Sequence, residues 1–341
     1  LLIEFPVAGT GYDTQYRNMG ENQNQGIEAT LNWYAVNRKN FTLSFSGNIG
    51  FNKTEIQSLG IMNDFGYETY WASSEIGYDY WIAKGGAVGQ MFGYHSDGRY
   101  EVDDFIDYNE TTNRWNLKEG VADASGVVGT IRPGSMKLKD LDGDDIISVD
   151  DREIIGDANP VHTGGFTLNS TFYGFDLAAA FNWSYGNDIY NANKIEFSHT
   201  GKYQYRNMIT TMEPGKRWTN LREDGTISND PAELAAMNVN TTMWSPYTSR
   251  MIFSDWAVED GSFLRLNTLT LGYTLPKHLL TKAKIENLRF YVTGYNVALW
   301  TNYSGYDPEV STIRRTNLSP GVDYSAYPRS RQLVFGVNLN F

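Results

Sequence analysis

The chain has 341 residues, a formal net charge of −12, no cysteine, 33 glycines, and an aromatic complement of 23 Tyr, 17 Phe and 9 Trp. The acidity argues against a nucleic-acid partner, because phosphate backbones are held by basic surfaces; the lack of Cys excludes a disulfide framework and any thiolate zinc site. No apolar run reaches the roughly 18 residues of a membrane-spanning helix, whereas the composition, rich in aromatics, Gly, Asn and Thr, is that of an all-β chain, transmembrane barrels included.

In chain order, Leu1 to Phe5 reads as the end of a strand, and a polar stretch follows to Gln25. The first sustained alternation places Ile27, Ala29, Leu31, Trp33 and Ala35 on one face and Glu28, Thr30, Asn32 and Tyr34 on the other. After a turn at Asn37 to Asn40, Phe41, Leu43, Phe45, Gly47, Ile49 and Phe51 alternate with Thr42, Ser44, Ser46 and Asn48. These strands, of about eleven residues, exceed the length usual in globular domains and suit a tilted bilayer span.

Residues 52–162 show no sustained alternation and read as a long connection. Its aromatics Tyr78, Tyr80, Trp81, Phe92 and Tyr94 are candidates for stacking on a sugar ring, packing among loops being the other use of the same side chains. Asp103, Asp104 and Asp107 cluster without the paired arrangement of a glycosidase, and the four histidines lack metal-ligand spacing, so the chain is read as a non-enzyme.

The connection ends in an acidic run from Asp140 to Asp151 that follows the twelve-position calcium loop. A hard cation needs six to eight converging oxygens, and positions 1, 3, 5, 7, 9 and 12 are Asp140, Asp142, Asp144, Ile146 through its carbonyl, Ser148 and Asp151. Asp145 replaces the usual Gly at position 6, and Asp151 is shorter than the usual Glu. A structural Ca2+ is expected there.

Further strands are read at 163–173 and 175–186, at 261–274 and 287–299, and finally through Leu333, Phe335, Val337, Leu339 and Phe341. Long connections at 187–260 and 301–328 alternate with short ones, the last holding a short basic helical turn from Lys277 to Lys284. In an up-and-down barrel this alternation sends all short turns to one rim and all long loops, the acidic run included, to the other. Trp33, Trp183 and Trp300 fall near strand ends, where an aromatic girdle belongs. The count is about eight spanning strands, enough to close a small barrel; the start at Leu1 in mid-strand favours part of a larger one.

Several segments carry a resemblance. Pro133 to Asp144, Asp151-Arg152, Ile155 to Pro160, Asn24 to Glu28, Gly261 to Asn267, Thr270 to Pro276, Ser304 to Glu309, Gly321 to Tyr324 and Tyr327-Pro328 together resemble the SusC/RagA family of TonB-dependent outer-membrane transporters of Bacteroidetes. The resemblance implies that 1–341 is the C-terminal part of an antiparallel transmembrane β-barrel of about 22 strands, with extracellular loops at 52–162, 187–260 and 301–328. It implies a plug and a TonB-contacting segment outside this stretch, a SusD-like surface lipoprotein partner, outer-membrane lipid around the barrel, and import of oligosaccharides or peptides. The alternative reading is a secreted, calcium-stabilised β module that binds glycans or adheres.

Overall fold

The computed structural model describes residues 2–6, 9, 11, 14–18, 20–72, 75–200, 205–248, 250–312 and 317–341. Its frame is one seven-stranded antiparallel sheet: β1 (Glu21–Arg38), β2 (Phe41–Ser58), β3 (His162–Phe172), β4 (Phe175–Tyr185), β5 (Phe263–Thr274), β6 (Asn287–Thr301) and β7 (Gln332–Asn340). Each strand pairs with its neighbours in sequence, so the sheet is a pure meander. The short turns Lys39-Asn40, Tyr173-Gly174 and 275–286 lie at one rim; the last holds the helical turn Lys277–Leu280. Gly174 sits at φ +89 with the Thr274 carbonyl 2.8 Å from where a Cβ would lie, a position only glycine fills without strain.

Two expectations need correction. β1 and β2 run for 18 residues each, seven or so beyond the alternation read from sequence, because Asn52 to Ser58 continue the ladder against Glu21 to Gly26 in a region without apolar periodicity. The N-terminal Leu2–Pro6 pairs with Thr14–Asn18, a two-stranded ribbon outside the sheet, so the spanning sheet has seven strands among the described residues; Leu1 lies outside them.

The register sorts side chains into two faces. On one, Leu31, Gly47, Phe166, Phe181, Leu266 and Ala298 stand in a cross-strand row, and the row through Trp33, Phe45, Leu168, Ala179 and Leu269 is similarly apolar. Near the short-turn rim Phe41, Phe172, Phe175, Tyr273 and Phe290 form an aromatic belt across five strands. Near the other rim Trp183, Leu264 and Trp300 share a row, and Trp33 stands on the same face toward the short-turn rim. Eight residues separate Phe175 from Trp183, roughly 26 Å along the strand and less after barrel tilt, matching the apolar band of an outer-membrane barrel. This face is unburied in the chain: Leu31 is 58%, Leu271 49% and Phe335 76% exposed.

The opposite face is mainly polar: Thr30, Asn48, Asn182 and Arg265 lie in one row, and Tyr34, Ser44, Asn169, Ala178, Thr270 and Thr293 in another. A bulge keeps the sorting intact. Leu264 and Leu266 point to the apolar face, and so do Leu269 and Leu271, because Asn267 is skipped in the pairing with both neighbours. The extra residue puts the Asn267 amide on Asn182, 2.6 Å away.

The hydrophobic core lies in the long connections. Three clusters hold most of the buried apolar residues, and the largest joins Trp71, Tyr80 and Met91 from the first connection to Tyr190, Ile195 and Phe253 from the second and Val322 from the third. The connections therefore form one folded cap. It contains a four-stranded sheet of Glu153–Asp157, Gln90–Gly93, Tyr80–Ala83 and Asp64–Tyr67, and a helix Pro231–Asn238 that the sequence reading missed. Its signal is local: Asp230 accepts the Glu233 amide as N-cap and Pro231 occupies the first turn.

Leu271→Arg on the apolar face should cost the full-length protein about 2–4 kcal/mol in lipid, and Asn169→Lys on the polar face under about 1. Denaturant titration in vesicles measures both; equal costs would contradict the assignment of faces.

Candidate functional site

The acidic run folds as a tight loop. Gly143 at φ +79 and Asp145 at φ +62 make its left-handed turns, so the Asp at position 6 takes the geometry expected of a Gly. Asp140 Oδ1 accepts the Gly143 amide at 2.7 Å, its Oδ2 accepts the Asp145 amide at 2.8 Å, and Asp144 Oδ1 accepts the Ile146 amide at 2.8 Å. Oxygens of Asp140, Asp142 and Asp144 converge within 4.8 Å of one another. The Gly143 amide leads the bonds that hold the Asp140 carboxyl below its ordinary pKa, while desolvation, with the charges of Asp144, Asp151 and Asp140, raises Asp142. Carboxylates so crowded are relieved by a cation.

Asp151 stands apart from that trio. It is buried, and its two oxygens accept the Leu141 and Ser148 amides, each at 2.8 Å, stapling the loop's ends together. The Ser148 hydroxyl oxygen accepts the Asp150 amide at 3.0 Å, and Ile146 forms a bridge with Asp123. The loop packs on the cap through Ile147, 1% exposed.

The predicted stacking aromatics are mostly committed to packing. Tyr80 and Tyr94 are buried, a correction to the reading of both as ligand-facing rings: alternation in the cap sheet turns Tyr80 inward, where its hydroxyl donates to the Pro320 carbonyl. Trp81 and Phe92 lie against each other with centroids 4.8 Å apart, and the Arg152 guanidinium sits 4.7 Å from the Phe92 ring and 5.4 Å from that of Tyr94. Of the five, Tyr78 alone is exposed.

Sequence reasoning missed the polar centres of the cap. Asp79 is buried beside Tyr80 and accepts the Thr69 amide at 2.8 Å and the Thr69 hydroxyl at 2.5 Å. Burial pushes its carboxyl up to about 7, against the Thr69 bonds and the Arg152 charge. His95 bridges Asp255 at 2.8 Å and Glu153 at 2.7 Å, pinning two cap segments to a third.

It also missed what ties the cap to the sheet. Arg265 on β5 faces the polar side and is 1% exposed; its guanidinium donates to Asn296 Oδ1 at 2.5 Å and Asp307 Oδ1 at 2.6 Å. Glu309 Oε2 approaches Arg265 Nε at 2.8 Å as an ion contact without hydrogen-bond alignment, and meets Arg329 Nη1 at 3.0 Å. Both halves of this cluster were visible in sequence, Arg265 in one motif and Asp307 and Glu309 in another, but nothing there pairs positions some forty residues apart.

No family model matches the chain. TonB-dependent receptor P3 of Formosa agariphila is 29% identical over 97% of the chain, and TonB-dependent receptor SusC of Bacteroides thetaiotaomicron is 25% identical over 99%. The chain is a homologue of the TonB-dependent receptors. It spans 30% of the length of the first relative and 28% of SusC. Two solved structures share the fold over the whole chain and about a third of their own: the RagAB peptide transporter (TM-score 0.68, 23% identity) and the RagAB peptide importer in its closed-closed state (0.67, 24%). The sheet is thus a segment of an outer-membrane β-barrel, its apolar face toward lipid and its polar face toward the lumen, which sets aside the secreted module.

Two outcomes follow in the full-length protein. Arg265→Met leaves the Asp307 and Glu309 charges to Arg329, which stands 4.0 Å from Asp307 and 3.0 Å from Glu309, at an expected cost of up to about 3–5 kcal/mol; hydrogen exchange should rise across 302–312 and 317–331 and stay unchanged in β1 to β3. Asp79, whose folded-state pKa lies above its unfolded one, contributes stability that is complete near pH 4 and is lost as pH rises through about 7. Exchange protection of 64–83 should fall over that window, and Asp79→Asn should flatten the fall; identical pH profiles would contradict it.

Proposed function

We propose that the chain is the C-terminal part of a barrel of about 22 strands in a TonB-dependent transporter, which imports oligosaccharides or peptides together with a SusD-like surface lipoprotein. The carrying observation is the division of one sheet into a lipid face and a hydrated lumen face, crowned by a folded cap over the long-loop rim. The relatives are receptors named for TonB dependence, and the two similar structures are of a peptide transporter. In this reading the cap is extracellular, it presents the surface to the lipoprotein, and a plug and TonB-contacting segment elsewhere in the protein gate the lumen and couple it to energy. The chain supplies wall and cap and catalyses nothing.

The acidic loop fits a structural Ca2+: Asp140, Asp142 and Asp144 supply three carboxylates and the Ile146 carbonyl a fourth oxygen, with the Ser148 hydroxyl and the stapled Asp151 at the loop's end. When bound, the ion neutralises the trio and stiffens the edge of the cap beside Ile147.

Uptake by cells carrying the complete protein should stop when TonB is deleted; uptake that persists without TonB would defeat the reading. Asp140→Ala with Asp142→Ala, or a calcium chelator, should speed proteolysis around 140–151 and weaken lipoprotein capture while leaving barrel insertion intact. Proteolysis indifferent to the chelator would remove the ion.

A further inference from the structure

The short-turn rim carries a charge pattern that neither the cap nor the lumen uses. Arg38, Lys39, Lys277, Lys282, Lys284 and Arg289 stand there against Asp176 and Glu286, a net +4 in a chain of net −12. Arg289 is paired with Asp176 on the lumen side. The other five cations are exposed, and among the described residues none of them has an ion-pair partner.

Register ties two parts of this rim to the lipid face. Arg38 pairs with Phe41, so it falls in the row of the aromatic belt, on the side turned to lipid. A charge at that depth is tolerated where its long side chain snorkels to the level of the headgroups. On β5 the Leu275 amide donates to the Leu288 carbonyl and carries the apolar face past Tyr273, and the helical turn starts two residues later. Within the turn Leu280 is 4% exposed and seats it on the barrel, while Leu279 is 60% exposed among Lys277, Lys282 and Lys284. An exposed leucine ringed by lysines just beyond an aromatic belt matches an amphiphile: the leucine meets acyl chain and the ammonium groups meet phosphate. A zwitterionic headgroup has no net charge to offset theirs, whereas an anionic one does. We propose that the turn 275–286, with Arg38 and Lys39 as a second contact along the same rim, is a docking surface for anionic phospholipid of the periplasmic leaflet, the side on which short barrel turns lie. The surface belongs to the barrel wall, whatever the transporter imports.

A fluorophore on Ala283→Cys, in the complete protein cleared of any other cysteine, reads the lipid beside the turn. The protein is placed in nanodiscs of phosphatidylcholine and phosphatidylglycerol, one or the other carrying a nitroxide near its headgroup. Labelled phosphatidylglycerol should quench as though concentrated about fivefold over its share of the bilayer, the worth of one lysine near a charged surface, and about 1 M salt should bring that ratio toward one. Lys277→Gln with Lys282→Gln and Lys284→Gln should do the same at low salt. The three Lys→Arg replacements, which keep the charge, should retain the preference, and neither set should shift barrel melting. Equal quenching by both lipids in the native protein, or a preference indifferent to the Gln replacements, overturns the docking surface. Quenching by neither lipid means that another part of the protein covers the turn, and overturns it too.

Discussion

The structure depends on one constraint: in hydrocarbon no water satisfies a backbone N–H or C=O, so each must pair within the sheet. A meander in which every strand bonds its sequence neighbours meets that demand with short turns on one side, and the side-chain period of two then forces one face to lipid and the other to the lumen. Departures from regularity serve the same rule. The bulge at Asn267 lets Leu264, Leu266, Leu269 and Leu271 all reach lipid, although their spacing breaks strict alternation.

The same constraint explains the cap. Neither face of the sheet is free to act as a conventional core, one being given to lipid and the other to water. Long connections must therefore bury their apolar residues against one another, and Trp71, Tyr190, Phe253 and Val322 come together from three separate connections. Charges follow the same economy on the lumen side. Arg289 reaches over Gly272 to bond Asp176 on the strand beyond, at 2.8 and 2.6 Å, and Arg265 meets Asp307 and Glu309. A Cβ at Gly272 would lie 2.4 Å from Asp176 Oδ1, so the glycine leaves room for that ion pair. What remains open on the wall is mainly amide and hydroxyl.

Much of this was legible in sequence because alternation is a local property. The hairpins at Ile27 to Phe51 and Phe166 to Trp183, the last strand and the direction of the long loops follow from the period and the connection lengths. The polar continuation of β2 through Asn52 to Ser58 did not, since pairing with Glu21 to Gly26 rather than hydrophobicity holds it. The cap was opaque for a different reason. Its strands are four or five residues long, and burial there depends on contacts between distant segments, so Tyr80 and Tyr78, two residues apart, differ in exposure from 0% to 53%. The acidic loop was legible in its ligand spacing and its turn at Asp145, whereas the role of Asp151 as a staple appears only when the Leu141 and Ser148 amides are placed around it.

The central claim, that one face of this sheet meets lipid across the bulge, is tested most directly by single spin labels in the full-length protein in bilayers. These 341 residues hold no cysteine, so each label goes on a single cysteine introduced between positions 264 and 273, in a full-length background cleared of any other. The account predicts high oxygen accessibility at 264, 266, 269, 271 and 273 and low accessibility at 265, 268, 270 and 272, with the phase changing at Asn267. One unbroken alternation through 267, or no alternation at all, would contradict it.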